Sequence, residues 1–172
     1  MGLTGKAIIG QSGGSTAVIN QSVRGVIEAS RGKKSITHLW GARHGVTGIL
    51  KGDFIDLKRQ PPGLVKSVCH LPSSALGTTR QKLQPDEEHE VIEKFKKWNI
   101  RYLFLVGGND TAQTIYRIAR AAREAQYDLR AIHIPKTIDN DLESTDITFG
   151  FGFGACHRNR CHRPFTHDWR LP

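Results

Sequence analysis

Reactive side chains crowd one short stretch, Pro135-Lys136-Thr137-Ile138-Asp139-Asn140-Asp141. It brings a cation, a hydroxyl and two carboxylates together. Asp139 and Asp141 stand two apart, so in extended backbone both point to the same side. One can accept a proton from an alcohol while the other orients a metal or a substrate. Lys136 can neutralise charge that builds on a transferred phosphoryl group. The plainer reading of these residues is an Asp/Asn turn.

Two further loops suit anions. In Ser12-Gly13-Gly14-Ser15 the adjacent glycines let backbone N–H groups close on a phosphate, and a helix beginning behind them adds a favourable dipole. The spacing matches neither GxGxxG nor GxxxxGK[ST]. A tight strand-to-helix turn accounts for the same glycines. Gly107-Gly108-Asn109-Asp110-Thr111 repeats the pattern and adds an amide and a carboxylate. Such an oxygen-rich loop suits Mg2+, which takes few protein ligands and shares phosphate oxygens. A helix N-cap by Asp110 or Thr111 is the alternative, but it leaves the double glycine without a reason.

All three loops follow candidate strands. Lys6 to Gly10 reads as a short buried strand, Ser35 to Trp40 as a second, and Leu129 to Ile134 as the last. Tyr102 to Val106 is a continuous apolar run, the pattern of a strand covered on both faces. Amphipathic helices are predicted between them. Thr16 to Ser30 carries Val18, Val23, Val26 and Ile27; Pro85 to Trp98 carries Val91, Ile92, Phe95 and Trp98. The third, from about Ala112 to Gln126, turns Ile115, Ile118, Ala119 and Ala122 inward. Gly41 to Leu83 sustains no period and is expected to be loops with short elements. Strands alternating with helices predict an α/β fold, a parallel sheet with helices on both faces. In such sheets ligands sit at the carboxyl ends of the strands. The three loops lie there.

The 172 residues hold 25 Lys+Arg against 16 Asp+Glu, a net charge of +9. Four arginines beyond Gly154, against Asp168 alone, account for +3 of it. The remaining positive charge is scattered rather than gathered on one helix or interleaved with aromatics. That favours a phosphorylated small substrate over nucleic acid. No stretch approaches the ~18 apolar residues a membrane span needs. The N-terminus is too short and glycine-broken for a secretory signal, and three cysteines make no disulfide framework. A cytoplasmic protein without a membrane or nucleic-acid partner is expected.

Taken in order, GKAIIGQSGGSTAVINQSVRGVI, GARHGVTGIL, ALGTTRQKL, GGNDT, PKTIDND and TDITFGFG resemble the N-terminal half of a phosphofructokinase. The resemblance covers about residues 5–152 and implies a Rossmann-like first lobe, the phosphoryl-donor lobe of a two-lobe fold. An NAD-dependent oxidoreductase on a similar fold lacks both GxGxxG and the acidic residue ~20 positions on. Position by position, the resemblance makes Asp139 the proton acceptor for the 1-hydroxyl of fructose 6-phosphate. Asp141 becomes a second essential carboxylate, and Thr137 and Ile138 flank that substrate. Gly13, Gly14, Gly108 and Asp110 fall at the donor, and Arg80 at the phosphates in the transition state. Asn109 stands where most members carry a Mg2+-binding aspartate, so Asp110 beside it becomes the second metal candidate. Asp110 and Lys136 both replace a glycine typical of ATP users, which resembles the pyrophosphate-dependent branch. Full-length members are expected to be homo-oligomers.

The pattern stops after Gly152, giving an expected donor lobe over 1–154 and an off-pattern tail over 155–172. The tail, ACHRNRCHRPFTHDWRLP, holds Cys156, His157, Cys161 and His162 at spacings that match no zinc motif. Disorder is one reading and a shifted reading frame the favoured one. Codons for His-Arg-Asn-Arg-Cys-His-Arg, read one nucleotide later, can spell Ile-Ala-Thr-Asp-Ala-Ile-Ala, an apolar helix start. A catalytically incomplete chain that at most binds phosphate or nucleotide is therefore the alternative to an active phosphotransferase lobe.

Overall fold

A computed structural model describes residues 2–136, apart from 16, 69 and 72. Thr137, Ile138, Asp139 and Asp141 therefore lie outside the described residues, as does the 155–172 tail. The chain runs β1 (Gly5–Gln11), α1 (Ala17–Ser30), β2 (Ile36–Ala42), α2 (Val46–Lys51), β3 (Phe54–Asp56) and α3 (Pro62–Val68). It continues through α4 (Glu87–Trp98), β4 (Ile100–Gly107), α5 (Asn109–Glu124) and β5 (Arg130–Pro135).

The five strands lie in the order β3-β2-β1-β4-β5. Four are parallel, as alternation predicts. The fifth, β3, is antiparallel to β2 and sits at an edge, with Gly41 opposite Ile55. It corrects the expectation of a purely parallel sheet, and its cause is local. The short α2 turns back at Gly52, whose φ of 72° lets it cap the helix. So short a return allows only an antiparallel partner, because a parallel one needs a longer crossover.

Period-two alternation splits the core into two layers. Ile8 of β1 and Leu103 and Leu105 of β4 pack with Val91, Ile92 and Phe95 of α4 and Ile115 and Ile118 of α5. Ala7, Ile9 and Val106 face the other way, against Ile19, Val23 and Ile27 of α1 and Val65 of α3. Helices thus cover both faces. In α1 the inward residue of the first turn is Ile19 rather than the predicted Val18, which is half-buried. In α5 Ala121 replaces Ala119 on the buried face. Each corrects the helical phase by one or two positions.

One boundary bears on function. Helix α5 begins at Asn109, three residues before the predicted start. Gly108 is its extended N-cap and its carbonyl accepts from the N–H groups of Thr111 and Ala112. Asn109, Asp110 and Thr111 are therefore its first turn rather than a loop, and no side chain caps it. That removes the cap role proposed for Asp110 or Thr111. It also explains the first of the two glycines: a Cβ on Gly107 would lie 2.2 Å from Thr111 Oγ1.

Candidate functional site

The chain leaves β1 for β2 on one side and later enters β4 on the other, so the connections after β1 and β4 diverge. A crevice opens where they part. β1 pairs with β4 as far as Gln11 and Val106, and the N–H of Ser12 donates to the Val106 carbonyl at 2.9 Å. Both loops thereby reach the same edge. Gly13 has φ of 74°, a left-handed conformation that a glycine meets without strain. Gly14 is different: an added Cβ would face Lys136 Nζ at 3.9 Å and no other atom within 4 Å. Open space before Gly14 suits close approach of a ligand to its backbone.

A third segment closes the crevice. The N–H of Gly13 and the hydroxyl of Ser12 both donate to the Thr79 carbonyl, each at 3.2 Å, and Thr78 Oγ1 donates back to the Gly13 carbonyl. Arg80 follows at once. From the far end of the sheet, Lys136 donates its backbone N–H to Gly107 at 2.9 Å and its ammonium to the Gly14 carbonyl. Its side chain is buried, with the residue only 5% exposed.

Gly13, Gly14, Arg80, Gly108, Asn109, Asp110 and Lys136 all line one cleft of about 420 Å³. Every expected site residue within the described range therefore meets at one place. Sequence reading missed Lys82, which lines the same cleft and sits 3.1 Å from Asp110 Oδ1. Its only signal was a lysine two places after Arg80. Thr79, Gln81 and Thr114 were also missed.

Among the described residues the lining carries Arg80, Lys82 and Lys136 against one carboxylate, that of Asp110. The helices α1 and α5 both begin beside it, and their positive dipole ends favour an anion. Such a lining fits a compact polyanion. Among the described residues no three His, Cys, Asp or Glu gather to hold a metal ion. One carboxylate and one amide, Asp110 and Asn109, fit a Mg2+ that shares phosphate oxygens and do not fit a site built from protein alone.

The phosphofructokinase family model matches residues 6–158. The chain belongs to the phosphofructokinase family. It is 45% identical over 153 residues to the pyrophosphate–fructose 6-phosphate 1-phosphotransferase of Rhodospirillum rubrum, covering 88% of this chain and 37% of that one. An ATP-dependent 6-phosphofructokinase of Spirochaeta thermophila is 32% identical, over 81% of this chain and 39% of its own. The crystal structure of a pyrophosphate-dependent phosphofructokinase from Nitrosospira multiformis superposes with a TM-score of 0.81 at 40% identity. It covers 86% of this chain and 37% of that one. The chain thus spans little more than a third of the length of these relatives. No helix among the described residues is long and apolar enough to cross a membrane.

Proposed function

We propose that this chain is the donor lobe of a pyrophosphate-dependent phosphofructokinase. It would move a phosphoryl group from pyrophosphate to the 1-hydroxyl of fructose 6-phosphate, a glycolytic step, in the cytoplasm. The observation that carries this reading is the meeting of Arg80, Lys136, Gly13, Gly14 and Asp110 in one cationic cleft at the sheet's switch point. Support also comes from the 45% identity to a relative named for that reaction.

The roles follow from charge and position. Phosphoryl transfer is catalysed mostly by positioning and electrostatics. Lys136 and Arg80 neutralise charge on the transferred group, while the loops at Gly14 and Gly108 offer it backbone N–H groups. Asp139 takes the proton of the sugar hydroxyl, Asp141 supports it, and Thr137 and Ile138 flank the sugar. Asp110, with Asn109 beside it, would hold Mg2+, which would supply positive charge against the phosphates. Full-length members acting as homo-oligomers belong to the same proposal.

Asp110 decides the donor. A carboxylate there meets the space an α-phosphate would need, and two like charges ~4 Å apart repel by about 4 kcal/mol at an effective dielectric near 20. Lys82 tempers that repulsion, and both side chains are solvated, so the realised bias is smaller. A second reading, a phosphate- or nucleotide-binding module without turnover, draws on the 37% coverage of the relative's length. Calorimetric titration with Mg-pyrophosphate and Mg-ATP tests the donor. Pyrophosphate should bind more tightly to the unmodified chain, and Asp110→Gly should narrow the gap from both sides. ATP preferred by the unmodified chain would overturn the assignment.

A further inference from the structure

Segment 73–80 has no helix or strand, yet it carries Thr79 and Arg80 into the cleft. Its backbone groups need partners from elsewhere. Two side chains supply them: Gln11 and Asn20, both 0% exposed. Gln11 Oε1 accepts from the Leu76 N–H at 2.8 Å and from Ser74 Oγ at 2.5 Å. Asn20 Oδ1 accepts from the Ala75 N–H at 2.9 Å and from Gln11 Nε2 at 3.0 Å. Asn20 Nδ2 donates to the carbonyls of Ser73 and Leu71, at 2.9 and 3.3 Å.

The Asn20 amide is saturated, with two bonds donated and two accepted. Turning it over would set its donors against the Ala75 N–H and its oxygen against two carbonyls. Its orientation is therefore fixed by the segment it holds. Gln11 occupies the last position of β1, directly before Ser12 and Gly13, so one buried pair joins the glycine loop, α1 and segment 73–80.

We infer that Gln11 and Asn20 are positioning residues that fix Thr79 and Arg80 against the glycine loop and so set the cleft's affinity for its anion. The inference deepens the donor-site reading and rests on it for the identity of that anion.

Amide hydrogen exchange by NMR and pyrophosphate titration of the 172-residue chain test it together. Gln11→Met keeps the volume and removes both acceptor bonds. Exchange should rise about tenfold at the Leu76 amide and at the Gly13 amide, which bonds Thr79 rather than Gln11. Amides of Leu103 and Leu105 should hold, and pyrophosphate should bind about tenfold more weakly. Ser74→Ala removes one hydroxyl donor from the segment and should give the same pattern at about threefold, which keeps the test open if Gln11→Met does not fold. An equal rise at all these amides, or none at Gly13, would overturn the inference. If the parent binds no pyrophosphate, the functional reading fails, and exchange at Gly13 alone decides the positioning role.

Discussion

Lys136 is an ammonium almost wholly removed from water, held against the Gly14 carbonyl at the floor of the cleft. Burying a cation costs free energy that hydrogen bonds only partly return. An arriving phosphate returns more, because a charge-assisted bond in a dry setting is among the strong ones. Lys136→Met keeps the stem and removes the charge. Thermal denaturation should show a folded chain, and calorimetry an affinity for pyrophosphate lower by about tenfold or more. Unchanged affinity with a lowered melting temperature would make Lys136 a structural residue only. Lys136 was legible because it follows a strand beside two carboxylates. Gln11 and Asn20 were not. A lone amide beside the apolar stripe of α1 looks like a solvated position until the packing of a distant, irregular segment against it is known. Lys82 was hidden for a different reason: its partner Asp110 lies 28 positions away, on another element.

At the level of elements, sequence pattern found β1 and β4 as short apolar runs, and α4 and α5 by a period of about 3.6. It placed the start of α5 late because Gly108-Asn109-Asp110 lacks helix-forming composition. The fold starts the helix there because Gly107 lets Thr111 pack directly on the strand end. The other end of α5 is fixed by Tyr127, whose hydroxyl lies 2.7 Å from the Ile100 carbonyl and 3.0 Å from that of Phe95. The hydroxyl thus ties the turn after α5 to the end of α4 and the start of β4. Burial pushes the Tyr127 phenol above its ordinary value of 10.0, with Arg101, stacked on the ring, pulling partly the other way. The folded chain therefore holds the phenolic proton more tightly than the unfolded chain. The stability this contributes is complete below pH about 10 and is lost as pH rises through the folded value. Tyr127→Phe should cost about 1 kcal/mol near neutral pH, a melting point about 2–4 °C lower. It should also flatten the alkaline fall in stability above pH about 10. A parallel alkaline fall in both proteins would remove Tyr127 from that role.

At the scale of the molecule, the described lobe brings the proposed donor-side residues together, and the chain covers 37% of the length of its Rhodospirillum relative. Phosphoryl transfer needs donor and acceptor held in line, and that alignment supplies much of the rate. A lobe that grips pyrophosphate without a counterpart to orient fructose 6-phosphate has binding energy but no alignment. The 172-residue chain by itself should therefore bind pyrophosphate and form no detectable fructose 1,6-bisphosphate in a coupled assay. Joining residues 1–154 to the part of the Rhodospirillum enzyme that follows its matched segment should restore turnover. In that fusion Asp139→Asn should lower kcat by about 10²–10⁴ with the fold intact, since it removes a proton acceptor at constant volume. Robust turnover by the unfused chain would refute the need for a second lobe. An Asp139→Asn fusion within a few-fold of its parent would refute the base while leaving the proposed donor cleft standing.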